Sequence, residues 1–159
     1  MNQKNLANWL KVIIFLAAVC GAILYGIVFP NVGERTIQKF PELASWYWPW
    51  LLFLWGTAIP CYAVLWHGWK ITSAVKRDES FTRENARRLG NISILAAIDT
   101  VYLFTGSLIF LILSMNHPSV FLAAMLICFG GMAITVAAAL LSHLVYKAAL
   151  LREDADLTI

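Results

Sequence analysis

The stretch Val120–Tyr146, VFLAAMLICFGGMAITVAAALLSHLVY, contains no Asp, Glu, Lys or Arg. As a helix it is about 40 Å long at 1.5 Å per residue, more than the roughly 30 Å of a bilayer's hydrocarbon core. Three further runs towards the N-terminus have the same character. Ile92–Met115 is interrupted only by Asp99, Trp48–Trp69 carries no acid, Lys or Arg, and Leu10–Phe29 is broken only by Lys11 and followed by Pro30. Backbone polar groups find no water in lipid, so only helices or closed barrels cross it. Period-two alternation is absent, which argues against a barrel. The expected fold class is all-α: an integral membrane four-helix bundle, residues 1–159 forming a single transmembrane domain. The helices are expected near residues 10–29, 48–69, 83–115 and 120–151.

Composition supports this solvent. The 159 residues are 60% hydrophobic and 13% charged, with mean hydropathy +0.72. Soluble domains are about half apolar and about a quarter charged, and a soluble chain this small has too much surface per volume to hide the excess. The first run is longer than the ~7–15 apolar residues of a secretory signal core, and Val19 stands before Cys20 where a lipoprotein signal would carry a small residue. It reads as a membrane helix. The net charge of +3, from 12 basic and 9 acidic residues, forms no broad basic face of the kind nucleic acid needs. Cys20, Cys61 and Cys128 each fall inside an apolar run, without metal-ligand spacing, and read as small packing residues.

Lys and Arg set the orientation, because short cytoplasmic loops carry their excess. Lys70, Lys76, Arg77, Arg83, Arg87 and Arg88 cluster between the second and third runs, whereas Asn116–Ser119, between the third and fourth, has no Lys or Arg. Between the first two runs Arg35 and Lys39 are balanced by Glu34 and Glu42, while Lys4 and Lys11 precede the first run and Lys147 and Arg152 follow the fourth. Both termini are therefore expected in the cytoplasm, with the protein multi-pass in the plasma membrane. Trp46, Tyr47, Trp48 and Trp50 mark the outer end of the second run and Trp66 and Trp69 its inner end, as amphipathic rings do at interfaces. The outer cluster is also a candidate aromatic ligand site. The segment Asn31–Ser45 has room for a short interfacial helix.

On the cytoplasmic side, Thr82 before Arg83-Glu84-Asn85 reads as an N-cap followed by an acid in the first turn. The third helix should then protrude beyond the membrane, the second should extend towards Val75, and the fourth should continue through Leu150 and Leu151. Arg87 and Arg88 have two readings, contact with anionic head groups or docking of a protein.

Asp99 is the one acid well inside an apolar run, on the order of 13 Å deep counted from Gly90. A charged carboxylate there costs several kcal/mol, so it should face the bundle, paired or protonated. Tyr62 lies at similar depth, with His67 and His143 nearer the inner boundary, and the four make a candidate buried polar site. Asp99 is read first as a structural hydrogen-bonding group, second as part of a ligand or signal pocket, third as a proton or ion relay. No local motif supports a metal site, no cofactor is expected, and no enzymatic constellation of glycine loop, serine elbow or paired carboxylates is present. Ala18, Ala22 and Gly26, and likewise Gly131, Thr135 and Ala139, form small-residue ridges suited to close helix approach. Pro60, one turn after Gly56 and Thr57, should bend the second helix.

Two segments resemble a known family. Phe81-Thr82-Arg83-Glu84-Asn85-Ala86-Arg87-Arg88-Leu89 and the tail Leu150-Leu151-Arg152-Glu153-Asp154-Ala155-Asp156-Leu157-Thr158-Ile159 resemble the motifs of a bacterial membrane family catalogued as domain of unknown function 2975. That family's tail usually has Asn where Ala155 stands here. The resemblance covers nearly the whole chain and the four-helix layout, and implies no reaction. Its genes often neighbour a small helix-turn-helix regulator, which implies a cytoplasmic DNA-binding partner for the membrane protein. The expected function is therefore non-enzymatic and regulatory, with docking through Phe81, Glu84, Asn85, Arg87, Arg88, Glu153, Asp156 and Leu157. The alternative is a small oligomeric transporter or channel using Asp99. The expected partners are the lipid bilayer, that regulator and further copies of the chain, without direct contact to nucleic acid.

Overall fold

A computed structural model describes residues 3–77 and 79–157, with side chains described for 5–77 and 79–155. Among the described residues all regular elements are helical. α1 spans Gln3–Ile23, a π-helical turn follows over Leu24–Val28, and α2 spans Phe29–Lys39. A 3₁₀ segment, Pro41–Trp46, leads into α3, Tyr47–Val75; α4 is Arg83–Ile112 and α5 is Pro118–Leu157. Four helical stretches are long and apolar enough to span a membrane.

The first stretch departs from the expected end at Pro30: it remains helical to Lys39. The π turn explains how. Phe29 N–H bonds back five residues to the Leu24 carbonyl, and the next bond in that ladder would join residue 30 to the Tyr25 carbonyl. Pro30 has no N–H to give. The indole Nε1 of Trp55 donates to the Tyr25 carbonyl instead, at 3.0 Å. The extra helical segment lies within the stretch Asn31–Ser45 where a short helix was expected, and it is continuous with the first span. α3 likewise runs unbroken through Pro60 to Val75.

α4 begins as its cap requires. Thr82 is extended (φ −129°, ψ 152°) and its side chain accepts from the Asn85 N–H at 3.2 Å. It ends earlier than the expected residue 115, at Ile112, where Ser114 takes a positive φ of 56° and turns the chain into α5. α5 exceeds expectation at its far end: its 40 residues are about 60 Å of helix.

α1 packs on α3, α3 on α4, and α4 on α5, while among the described residues the backbone of α1 does not closely approach α4 or α5, nor that of α3 α5. The spans thus adjoin in chain order, with a seam between first and last. The small-residue ridges account for part of this. Ala22 and Gly26 are exposed, with open space beside Gly26, so that expected ridge is not a packing surface; Gly21, against Tyr62, is the close approach of α1. On α5 the packing stripe follows Gly131 and Thr135 but passes to buried Ala138, leaving Ala139 exposed. A Cβ at Gly131 would run into Thr100 of α4. Ser93 Oγ donates to the Thr135 carbonyl at 2.9 Å, and Ser142 Oγ to the Ala86 carbonyl at 2.7 Å. These bonds matter because apolar burial does not drive association between helices that lipid already solvates. The surface is correspondingly greasy: the total of 10597 Å² exceeds the roughly 8,000 Å² typical of a soluble protein of this mass.

Gly131 and Gly130 are adjacent but differ in surroundings, since nothing lies within 4 Å of a Cβ built at Gly130. Gly131→Leu should destabilise the folded protein by about 1–3 kcal/mol through overpacking. Gly130→Leu should leave it almost unchanged, with both read as midpoints of denaturant titration in detergent.

Candidate functional site

The seam contains a cleft with a volume of about 490 Å³, to which all four long helices contribute. Part of its polar lining comes from the π turn and from the residues beside Pro60, and part from regular helix. Tyr25 sits in the π turn of α1, and Cys61 and Tyr62 directly follow Pro60 in α3. Asp99 and Thr100 come from α4, and Cys128 and Gly131 from α5.

A line of hydrogen bonds crosses this region. Thr57 Oγ1 donates to the Leu54 carbonyl at 2.7 Å and lies 2.8 Å from the Tyr25 hydroxyl. With the Thr57 proton committed to the carbonyl, Tyr25 is the donor of that pair. Cys61 Sγ donates to Asp99 Oδ2 at 3.5 Å, and a long 3.9 Å contact from Tyr25 Oη to Cys61 Sγ joins the two halves. Thiols are weak donors, so Oδ2 is poorly served. Asp99 Oδ1 is buried and has no partner among the described residues.

The structure brings together two of the four residues expected here. Tyr62 lines the cleft with Asp99, but its hydroxyl donates to the Ala18 carbonyl at 2.9 Å and so ties α3 to α1. His67 and His143 do not line the cleft. They stand on α3 and α5, whose backbones do not closely approach each other among the described residues; His143 is exposed, and the buried Nδ1 of His67 has no partner among the described residues. Sequence reasoning overlooked Tyr25 and the convergence of Cys20, Cys61 and Cys128 on one cleft. A π turn leaves no residue pattern that would have announced the first. Among the described residues no group of three or more His, Cys, Asp or Glu side chains is placed to hold a metal ion.

A second concavity of about 330 Å³ lies at the opposite end from the Arg-rich turn, bounded by the outer aromatic cluster and the turn before α5. Trp46, Tyr47 and Trp50 line it with Glu42 and His117. Tyr47 rests on the bare face of Gly33, where a Cβ would lie 2.6 Å from a ring carbon. His117 Nδ1 is already engaged by Ser119, 2.7 Å from its hydroxyl.

The basic end contains the residues expected to dock a partner, and here the expectation needs correction. Asn85 is 1% exposed. Its Nδ2 donates to the Glu79 and Ser80 carbonyls at 2.8 and 3.2 Å, and its Oδ1 accepts from Arg88 Nη1 at 3.2 Å. It therefore orders the turn before α4 and is not available as a docking contact. Arg88 is held by the same oxygen and by Glu84. Arg83 and Glu153 form a two-pronged pair, Nε to Oε1 at 3.0 Å and Nη2 to Oε2 at 2.5 Å. The bonded carboxylate pushes the Arg83 pKa up. Phe81, Arg87 and Leu151 remain exposed. The side chains of Asp156 and Leu157 lie outside the described residues. At the same end Lys11 Nζ sits 5.0 Å from the Trp69 ring centre, a cation–π contact linking α1 to α3.

The two motif-bearing segments thus meet across α4 and α5. The chain is 26% identical over 161 residues to a protein of Bacillus subtilis (strain 168) described as "Uncharacterized membrane protein YoaS", with all of both chains covered. No solved structure matches. A family model described as "Protein of unknown function (DUF2975)" matches residues 31–159, and the chain, a membrane protein, belongs to that family.

Proposed function

We propose that this is a non-enzymatic regulatory membrane protein whose Arg-rich end faces the cytoplasm and docks a soluble partner, such as a helix-turn-helix regulator. The observation that carries this reading is the clasp between the two motifs. Arg83 in the first motif holds Glu153 in the second, and Ser142 ties α5 to α4 close by. A pair between half-exposed side chains adds little stability, so it marks where the two motifs lie side by side and does not itself lock them. The two helix ends carry exposed Phe81, Arg87 and Leu151. Neighbouring helix ends bearing apolar and basic side chains suit recognition of an apolar, acidic surface. The positive-inside rule supports the orientation. Reporter fusions should place Lys76–Arg88 on the same side as both termini, and the docking reading falls with any other result. Removing residues 150–159 should abolish recovery of the partner from native membranes while the protein still inserts. Undiminished recovery would refute the docking surface.

A second reading, a small oligomeric transporter or channel, is favoured by the partnerless Oδ1 of Asp99, because ionisable groups at membrane depth often mark ion paths. It requires pH-dependent flux in liposomes that disappears in Asp99→Asn. Folded wild-type protein that carries no flux would eliminate it.

A further inference from the structure

The cleft poses a problem of charge that the chain does not solve. Asp99 has one oxygen served only by a thiol and a second, buried oxygen without a partner among the described residues. In a setting of low dielectric, a carboxyl group without a cation or strong donors is costly. No Lys or Arg occurs between Lys11 and Arg35, between Lys39 and Lys70, or between Arg88 and Lys147. The basic residues thus all stand at or beyond the ends of the apolar spans, far from the depth of Asp99. A second copy of the chain, carrying the same sequence, has no Lys or Arg to offer at that depth either. Protonation is one answer to that cost, and a cationic partner from outside the polypeptide is the other.

The shape of the site narrows its chemistry. The cleft has the volume of a small-molecule site, and its walls are mainly aliphatic, including Leu24, Leu65, Ile127 and Ile134. It lies in the seam where the backbones of α1 and α5 do not closely approach each other, so the route open to a ligand is sideways from the bilayer, without crossing water. Ile127 and Ile134 are exposed and flank that entrance. A ligand that fits must be apolar along most of its length and carry one cationic, hydrogen-donating group.

We propose that the cleft between α1 and α5 is a binding site for a lipophilic amine, with its aliphatic portion in the seam and its ammonium group donating to Asp99 Oδ1. An ammonium–carboxylate pair brings no net charge into the site, which is the condition for burying both. This site is separate from the docking face, so either can fail without the other.

The test uses the full chain in lipid nanodiscs, with Cys20→Ala and Cys128→Ala so that Cys61, which lines the cleft and is exposed, is the sole thiol. The rate of Cys61 modification by N-ethylmaleimide is measured with dodecylamine and with dodecanol, which has the same tail and no charge. With the cleft about nine-tenths occupied, dodecylamine should slow modification on the order of tenfold, because only the unoccupied fraction reacts. Dodecanol should have little effect. Asp99→Asn should remove the advantage of the amine, and Asp99→Glu should retain it. Equal protection by amine and alcohol, no protection by either, or a Cys61 that never reacts would each overturn the proposal, and so would amine protection that survives in Asp99→Asn. If Asp99→Asn does not yield monodisperse protein, the comparison of amine with alcohol on the Asp99 protein decides the matter.

Discussion

Lipid removes the usual reason for two helices to adhere, because a leucine in contact with acyl chains gains little by moving against another leucine. What remains is close backbone approach and hydrogen bonding from one helix to another. The contact between α4 and α5 uses both: Gly131 admits Thr100, Ser93 and Ser142 reach carbonyls across the interface, and Cys128 Sγ donates to the Thr100 carbonyl at 3.7 Å. Those carbonyls belong to helices and accept a second bond with their remaining lone pair. The first span is held to α3 by hydrogen bonds from Tyr62, Trp55 and Tyr25 and by Lys11 over Trp69, but it lacks the close backbone approach that Gly131 gives the other pair.

What could be read in advance follows the same division. The four spans, the Thr82 cap and the extension of α3 to Val75 were legible because they depend on hydropathy, length and a local side-chain preference. The course of α1 beyond Pro30 was not. A proline after an apolar run ordinarily signals an end, and the carbonyl it would leave unserved is satisfied here by the distant Trp55 indole. The small-residue ridges were legible in kind but not in phase, since residue size does not say which face a neighbour will occupy. For the same reason Asp99 and Tyr62 share the cleft, whereas the histidines grouped with them do not line it. Asn85 shows the opposite failure. An amide in a polar motif looks like a surface contact, and its burial follows from a turn geometry that involves carbonyls of residues 79 and 80.

α4 is the element common to both candidate sites. Asp99 and Asn85 lie on it about 21 Å apart along the axis, and the interface with α5 runs between them through Ser93 and Ala86. Packed helices have discrete arrangements and do not deform continuously. A ligand that drew α1 towards α5 would therefore act on an interface whose far end carries the Arg83–Glu153 clasp. This is a physical path by which occupancy at membrane depth would be felt at the proposed docking surface, and it requires no moving part beyond the setting of two helices.

The π turn over Leu24–Val28 amounts to one extra residue wound into a helix that otherwise runs straight on. Each residue of an α-helix advances the azimuth by about 100°, so everything after the turn is rotated by roughly that angle relative to an uninterrupted helix. The azimuth is what points the bare face of Gly33 at Tyr47 and brings the outer aromatic cluster over the end of α1. A chain shortened by a single residue in this turn would keep its hydropathy, its span and its charge pattern, and would still turn the wrong side of its outer half towards α3.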